Sequence, residues 1–158
     1  MVKARLHFAL QPTTPVAMNK RLAEILVLLG LLLVRTMSPA GETKPEVAAQ
    51  AAAEKWLALV DAGKYDESWQ EMSAPFKKEV SKRKWKSTIE EIRKSPGRAV
   101  SRKLKSAEYT KELPGAPEGE YVVTKFDTAF EHKPAAVETV TLVLGQDLIW
   151  RVSSYAVK

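Results

Sequence analysis

The stretch YVVTKFDTAFEHKPAAVETVTLVLGQDLIWRVSSYAV, residues 121–157, decides the fold. It holds three runs in which apolar and polar residues alternate: Tyr121–Phe130, Val137–Leu144 and Ile149–Val157. A period of two over such lengths marks a half-buried strand. His132-Lys133-Pro134 turns the chain after the first run, and Gly145-Gln146-Asp147 makes a hairpin loop after the second. Links this short carry no crossover, so the runs pair in sequence and antiparallel. In the first run Val122, Phe126 and Phe130 share one face, and Tyr121, Val123 and Ala129 share the other.

Upstream, Pro114-Gly115-Ala116-Pro117-Glu118-Gly119 reads as a wide turn. No helix start follows it, so it is punctuation and no phosphate cradle. Before it, Val100, Arg102, Leu104 and Ser106 alternate with Ser101, Lys103 and Lys105, which adds a fourth strand. The preceding half is helical. Val47, Ala51, Ala52, Trp56, Leu59 and Val60 form one stripe over Glu46–Ala62, with Thr43 as cap and Gly63 as a left-handed stop. A second helix runs about Tyr65–Ser73; Pro75 interrupts it, and Phe76–Val80 continues as another turn. Ser81 caps the third helix, Lys82–Lys94, whose buried edge is Trp85, Ile89 and Ile92. The expected class is α+β: three N-terminal helices packed on a curved four-stranded antiparallel meander sheet.

The first 40 residues read as an address. Asn19-Lys20-Arg21 supplies positive charge, Ile25–Val34 is an unbroken apolar run, and Ser38-Pro39-Ala40 places small residues before a cut between Ala40 and Gly41. The expected organisation is therefore a signal peptide over 18–40 and a single domain over 41–158, periplasmic or secreted. Residues 1–17 show no periodicity. Met18 opens a complete signal peptide, so 1–17 reads as an upstream extension; a long positive lead is the other reading. The apolar run is shorter than the ~20 residues of a membrane span. With no cysteine at the cut there is no lipid anchor, so no stable membrane anchor is expected after cleavage; an uncleaved signal anchor, with Arg35 directly after the run, is the other reading.

The formal charge of +6 misleads. Residues 1–40 carry Lys3, Arg5, Lys20, Arg21 and Arg35 against Glu24 alone, a net +4, which leaves +2 for 41–158. So small a charge excludes an electrostatic case for nucleic acid. An exported domain without cysteine is held by packing alone. His132 is the one histidine after residue 40, so the usual zinc ligand sets and a Ser-His-acid triad beyond that turn residue are absent. No cofactor is expected.

Four runs carry a resemblance: AAAEKWLALVDAGKYDESW (Ala51–Trp69), VSRKLKSAEYT (Val100–Thr110), LPGAPEGEYVV (Leu113–Val123) and VETVTLVL (Val137–Leu144). They resemble the bacterial domain-of-unknown-function family 4019, over nearly all of 41–158. That family brings no catalytic residues to transfer. The order of elements is also similar to the nuclear-transport-factor-2-like, cystatin-like cone, whose members include enzymes, binding modules and inert scaffolds. Such a fold does not select a function.

Two functions follow as expectations. The first is a non-enzymatic ligand-binding or protein-interaction module, with Trp56, Tyr65, Trp69 and Trp85 as pocket candidates for a small apolar ligand. At helical spacing the same aromatics also suit a core. The alternative is a weak isomerase or dehydratase using a cavity carboxylate, Glu120, Asp127 or Asp61. Asp127 and Glu138 are expected to face each other across the hairpin near Lys125 and Arg151, as a surface charge ladder. Finally, Tyr121 and Val123, with Val140, Leu142, Leu144 or Tyr155 alongside, are expected to leave the outer sheet face apolar. A homodimer through that back face follows.

Overall fold

The computed structural model describes residues 43–158. The signal layout, the Ala40–Gly41 cut and the 1–17 extension lie outside the described residues. Among the described residues four helices precede four strands: α1 Pro45–Asp61, α2 Tyr65–Gln70, α3 Ala74–Glu79, α4 Lys82–Lys94, β1 Ala99–Thr110, β2 Tyr121–Phe130, β3 Ala136–Leu144 and β4 Trp150–Val157. The strands pair in the order β1-β2-β3-β4, all antiparallel, as one sheet. The class is α+β.

The helix count differs from the expected three, because the chain between Gln70 and Ala74 is drawn to the sheet. Ser73 is extended and caps α3, accepting a hydrogen bond from Phe76 N at 3.4 Å. Its own N–H is drawn to the sheet, donating to Val152 O at 2.8 Å, while Met72 bridges Val152. Residues 71–73 therefore leave the helical path to cover part of the β4 edge. An exposed edge is a pairing hazard, and a short covering segment removes it.

α1 begins with Pro45 at its first position, where the missing N–H costs nothing. Lys44, and not Thr43, occupies the cap position, and it makes no side-chain cap bond. The buried stripe is Ala49, Ala53, Trp56, Leu57 and Val60, rotated from the expected one, and Val47 is 55% exposed. The helix ends as expected. Gly63 has φ +70°, Gly63 N donates to Val60 O at 3.0 Å and Lys64 N donates to Leu59 O at 2.9 Å. That pair of bonds is a Schellman stop. Ser81 caps α4 by accepting from Lys84 N at 3.3 Å.

α1 packs on all four strands. Between helices and sheet lie Leu57, Val60, Met72, Ile89, Val122, Phe126, Val140, Leu142 and Val152, all within 1% of full burial. Each such side chain contributes about 1.5–3 kcal/mol by leaving water.

Candidate functional site

Glu138 on β3 is 0% exposed. It shares its face with Val140 and Leu142, which are equally buried, so it points at the helices. The register pairs Glu138 with Phe126 and Asp127 with Val137. Glu138 and Asp127 therefore lie on opposite faces, and the expected ladder between them does not form. Asp127 lies outside, bonded to Lys105 at 3.0 Å; Lys125 is 3.9 Å from Glu108, and Arg151 pairs with Asp147.

A carboxylate in the core must be paired or it neutralises. Here four donors converge on it. Oε1 accepts from Arg93 Nη1 at 3.1 Å and from the Tyr155 hydroxyl at 2.6 Å. Oε2 accepts from Arg102 Nε at 2.5 Å and from Thr128 Oγ1 at 2.6 Å. A second carboxylate, Asp61, closes the cluster from the rim. It accepts from Arg93 Nη2 at 2.5 Å and from Arg102 Nη1 and Nη2 at 2.7 and 3.1 Å. Two guanidinium groups thus balance two carboxylates. The Arg93 guanidinium also lies 4.8 Å from the centre of the Phe130 ring, a cation–π distance.

Every layer of the fold supplies one member: Asp61 from α1, Arg93 from α4, Arg102 from β1, Thr128 from β2, Glu138 from β3 and Tyr155 from β4. Asp61 is 30% exposed, the cluster's outermost carboxylate. It stands at the C-terminal end of α1, the end that repels negative charge, and the two arginines offset that. Burial alone would lower the Arg102 pKa; the bonds to Asp61 and Glu138 outweigh it and hold the guanidinium firmly charged. Arg93 is raised in the same way, its burial outweighed by Tyr155, Asp61 and Glu138. The Tyr155 hydroxyl is pushed up by burial first, then by the adjacent Glu138 charge, so it remains a donor.

The arrangement determines what Glu138 can do. A carboxylate offers about four lone-pair positions, and four donors occupy them. A general base needs one of those positions directed at a substrate proton. Glu138 instead spends one of them on Arg93 of α4 and three on donors from the other strands of the sheet.

Trp56, Tyr65, Trp69 and Trp85 are brought together as a packed cluster. Trp56 and Trp85 are 2% and 3% exposed, with ring centres 5.8 Å apart. Phe76 meets Trp85 edge-on at 5.7 Å. Each indole N–H has a partner: Trp56 donates to Ser68 O at 3.0 Å, Trp85 to Ser68 Oγ at 3.0 Å, and Trp69 to Val80 O at 2.8 Å. Ser68 Oγ in turn donates to Tyr65 O at 2.8 Å. Tyr65 and Trp69 are half-buried against the same core. Of the candidate acids, Asp61 joins the ionic cluster, Asp127 is a surface partner of Lys105, and Glu120 accepts from the Tyr109 hydroxyl at 3.1 Å. His132 is exposed in the β2–β3 turn.

An open groove of about 520 Å³ lies on the outer sheet face, lined by Ser101, Lys105, Asp127, Ala129, Val137 and Lys158 among others. That outer face is less apolar than expected, because Val140 and Leu142 belong to the core and Tyr155 to the ionic cluster.

Sequence reasoning missed Arg93, Arg102, Thr128 and Tyr155 as partners of Glu138. A signal was present: Glu138 is in phase with Val140 and Leu142, and Arg102 is in phase with Leu104. A charge in phase with core residues on one strand calls for an opposite charge in phase on another.

The family comparison falls on the same span. A family model described as "Protein of unknown function (DUF4019)" matches residues 52–155, which include all six members of the ionic cluster. No curated protein matches the chain. The chain belongs to the DUF4019 family.

Proposed function

We propose that this chain is an exported, non-enzymatic binding module, whose buried acid holds the fold and whose contacts are made from the outer surface. The observation that carries this reading is the saturation of Glu138 by four donors. The most deeply buried acid among the described residues, the natural candidate for proton transfer, has its acceptor positions filled. The signal layout over 18–40 supports export. The outer groove between β1, β2 and β3 offers an open surface for such a contact.

Mass spectrometry of small molecules released from natively purified protein tests the reading. A compound retained by the parent and lost on Ala129→Trp, which adds bulk at a lining residue of the groove, is the expected result. A turnover that disappears in Glu138→Gln while the fold persists would overturn it. Export has a separate check. Sequencing of the accumulated protein is expected to start at Gly41 or a few residues from it, and a start at Met1 or Met18 would contradict cleavage.

A further inference from the structure

β1 is a sheet edge, and its outer side carries no strand among the described residues. We infer that this edge pairs with β1 of a second copy, about a two-fold axis that passes between Lys105 and Ser106. The inference does not rest on the binding reading above.

It starts from the bulge. Opposite β2, the register jumps from Leu104–Phe126 to Ser106–Lys125, which leaves Lys105 as the extra residue. Before the bulge, Arg102 and Leu104 share the helix-side face with Thr128 and Phe126, while Lys103 lies outside with Asp127. After it, Ala107 and Tyr109 are on the helix side, while Ser106 and Glu108 lie outside with Lys125 and Val123. Lys103 and Glu108 therefore share the outer face. Five residues apart in a regular strand, they would lie on opposite faces.

That phase shift is what a two-fold needs. An axis normal to the sheet keeps each face on its own side, and antiparallel partners must share a face. Centred between Lys105 and Ser106, it sets Lys103 opposite the partner's Glu108, Arg102 opposite the partner's Tyr109, and Leu104 opposite the partner's Ala107. Each pair joins like faces. A register centred on Lys105 would set Lys103 opposite the partner's Ala107 and join unlike faces.

The charges of Lys103 and Glu108 agree with this register, while Lys105, which falls opposite the partner's Ser106, is held by Asp127 at 3.0 Å. Lys103 has no ion pair among the described residues, and Glu108 has only Lys125 at 3.9 Å. Two-fold pairing gives two Lys103–Glu108 contacts. Lysines and bulges ordinarily discourage edge pairing. Here the bulge brings the faces into register and one lysine meets a carboxylate. The other edge, β4, is partly covered by Met72 and Ser73.

Sedimentation equilibrium of the purified protein tests the inference, with melting curves to show that each variant folds. A reversible dimer is expected. Lys103→Glu and Glu108→Lys should each weaken it about ten-fold, because each reversal affects two symmetric pairs, and the combined exchange should restore it. A monomer at all concentrations, or a dimer indifferent to both reversals, would overturn the proposal. Because the chain has no cysteine, a second measurement is available. Lys103→Cys with Glu108→Cys should oxidise to a covalent dimer, since facing Cα atoms about 4.5–5.5 Å apart suit a disulfide. Within one strand the two are about 16 Å apart and cannot join. Lys103→Cys with Ala107→Cys is the out-of-register control. Equal cross-linking of both variants, or none in the first, would also refute the register.

Discussion

The layer between helices and sheet is built by two kinds of chemistry that meet at Tyr155. On one side Tyr155 lies edge-on to Trp56, with ring centres 5.3 Å apart, at the border of the indole cluster. On the other its hydroxyl donates to Glu138. The aromatic side is local: its hydrogen bonds link Trp56, Ser68, Trp69, Val80 and Trp85, residues 11 to 17 apart in the chain. The ionic side also has short links, Thr128 and Tyr155 to Glu138, but its arginines reach much further, 32 to 62 residues from Arg93 to Asp61, Glu138 and Tyr155. The two sides should fail differently. A trimmed aromatic loses area in proportion to what is removed. An ionic cluster that loses one member leaves a buried charge without its partner, which is a larger and more abrupt loss.

Removing an arginine should produce the largest effect. Arg102→Ala takes away a donor to Glu138 and two to Asp61. A cost of about 3–5 kcal/mol is expected in urea unfolding; a cost below about 1 would place the ionic side on a level with a surface pair. Next comes Trp85→Phe, which keeps a ring but loses the donor to Ser68 and part of the buried area. About 1–2 kcal/mol is expected by the same measurement, and a loss equal to that of Arg102→Ala would erase the contrast. Ser68→Ala leaves the Trp85 N–H without its acceptor and should cost about 1 kcal/mol.

The smallest effect belongs to an ion pair outside both regions. Arg151 first, with burial opposing, holds the Asp147 carboxyl down at about 2. Its folded value lies below the unfolded one, so its contribution is complete above pH ~4 and is lost as pH falls toward 2. An NMR titration should find its midpoint near 2, and Asp147→Asn should change stability little at neutral pH. A large loss there would mean that burial does not separate strong pairs from weak ones in this molecule.

What the sequence made legible follows the same division. Alternation located the strands, and Tyr121–Phe130 has the expected ends. The caps Gly63 and Ser81 stand where turn and helix chemistry put them. The α1 stripe was misplaced because Ala48, Ala49, Ala51, Ala52 and Ala53 carry almost no contrast between faces. On α4, Ile92 is the apolar choice at the third position, but the structure buries Arg93. Apolarity cannot signal that burial, because it requires a carboxylate 45 residues away. The second helix broke because Ser73 N–H found an acceptor on β4, a contact with no local signature.

Glu138 and its arginines act as one cooperative structural joint. A double-mutant cycle in urea unfolding with Arg93→Met, Glu138→Leu and the pair together measures it most directly. Each single change should cost about 3–5 kcal/mol, and the double change should cost less than the two added, by about 2 kcal/mol or more, because the second removes the charge that the first left unpaired. Singles that add to the double within about 0.5 kcal/mol would contradict the account and make Glu138 an independent group.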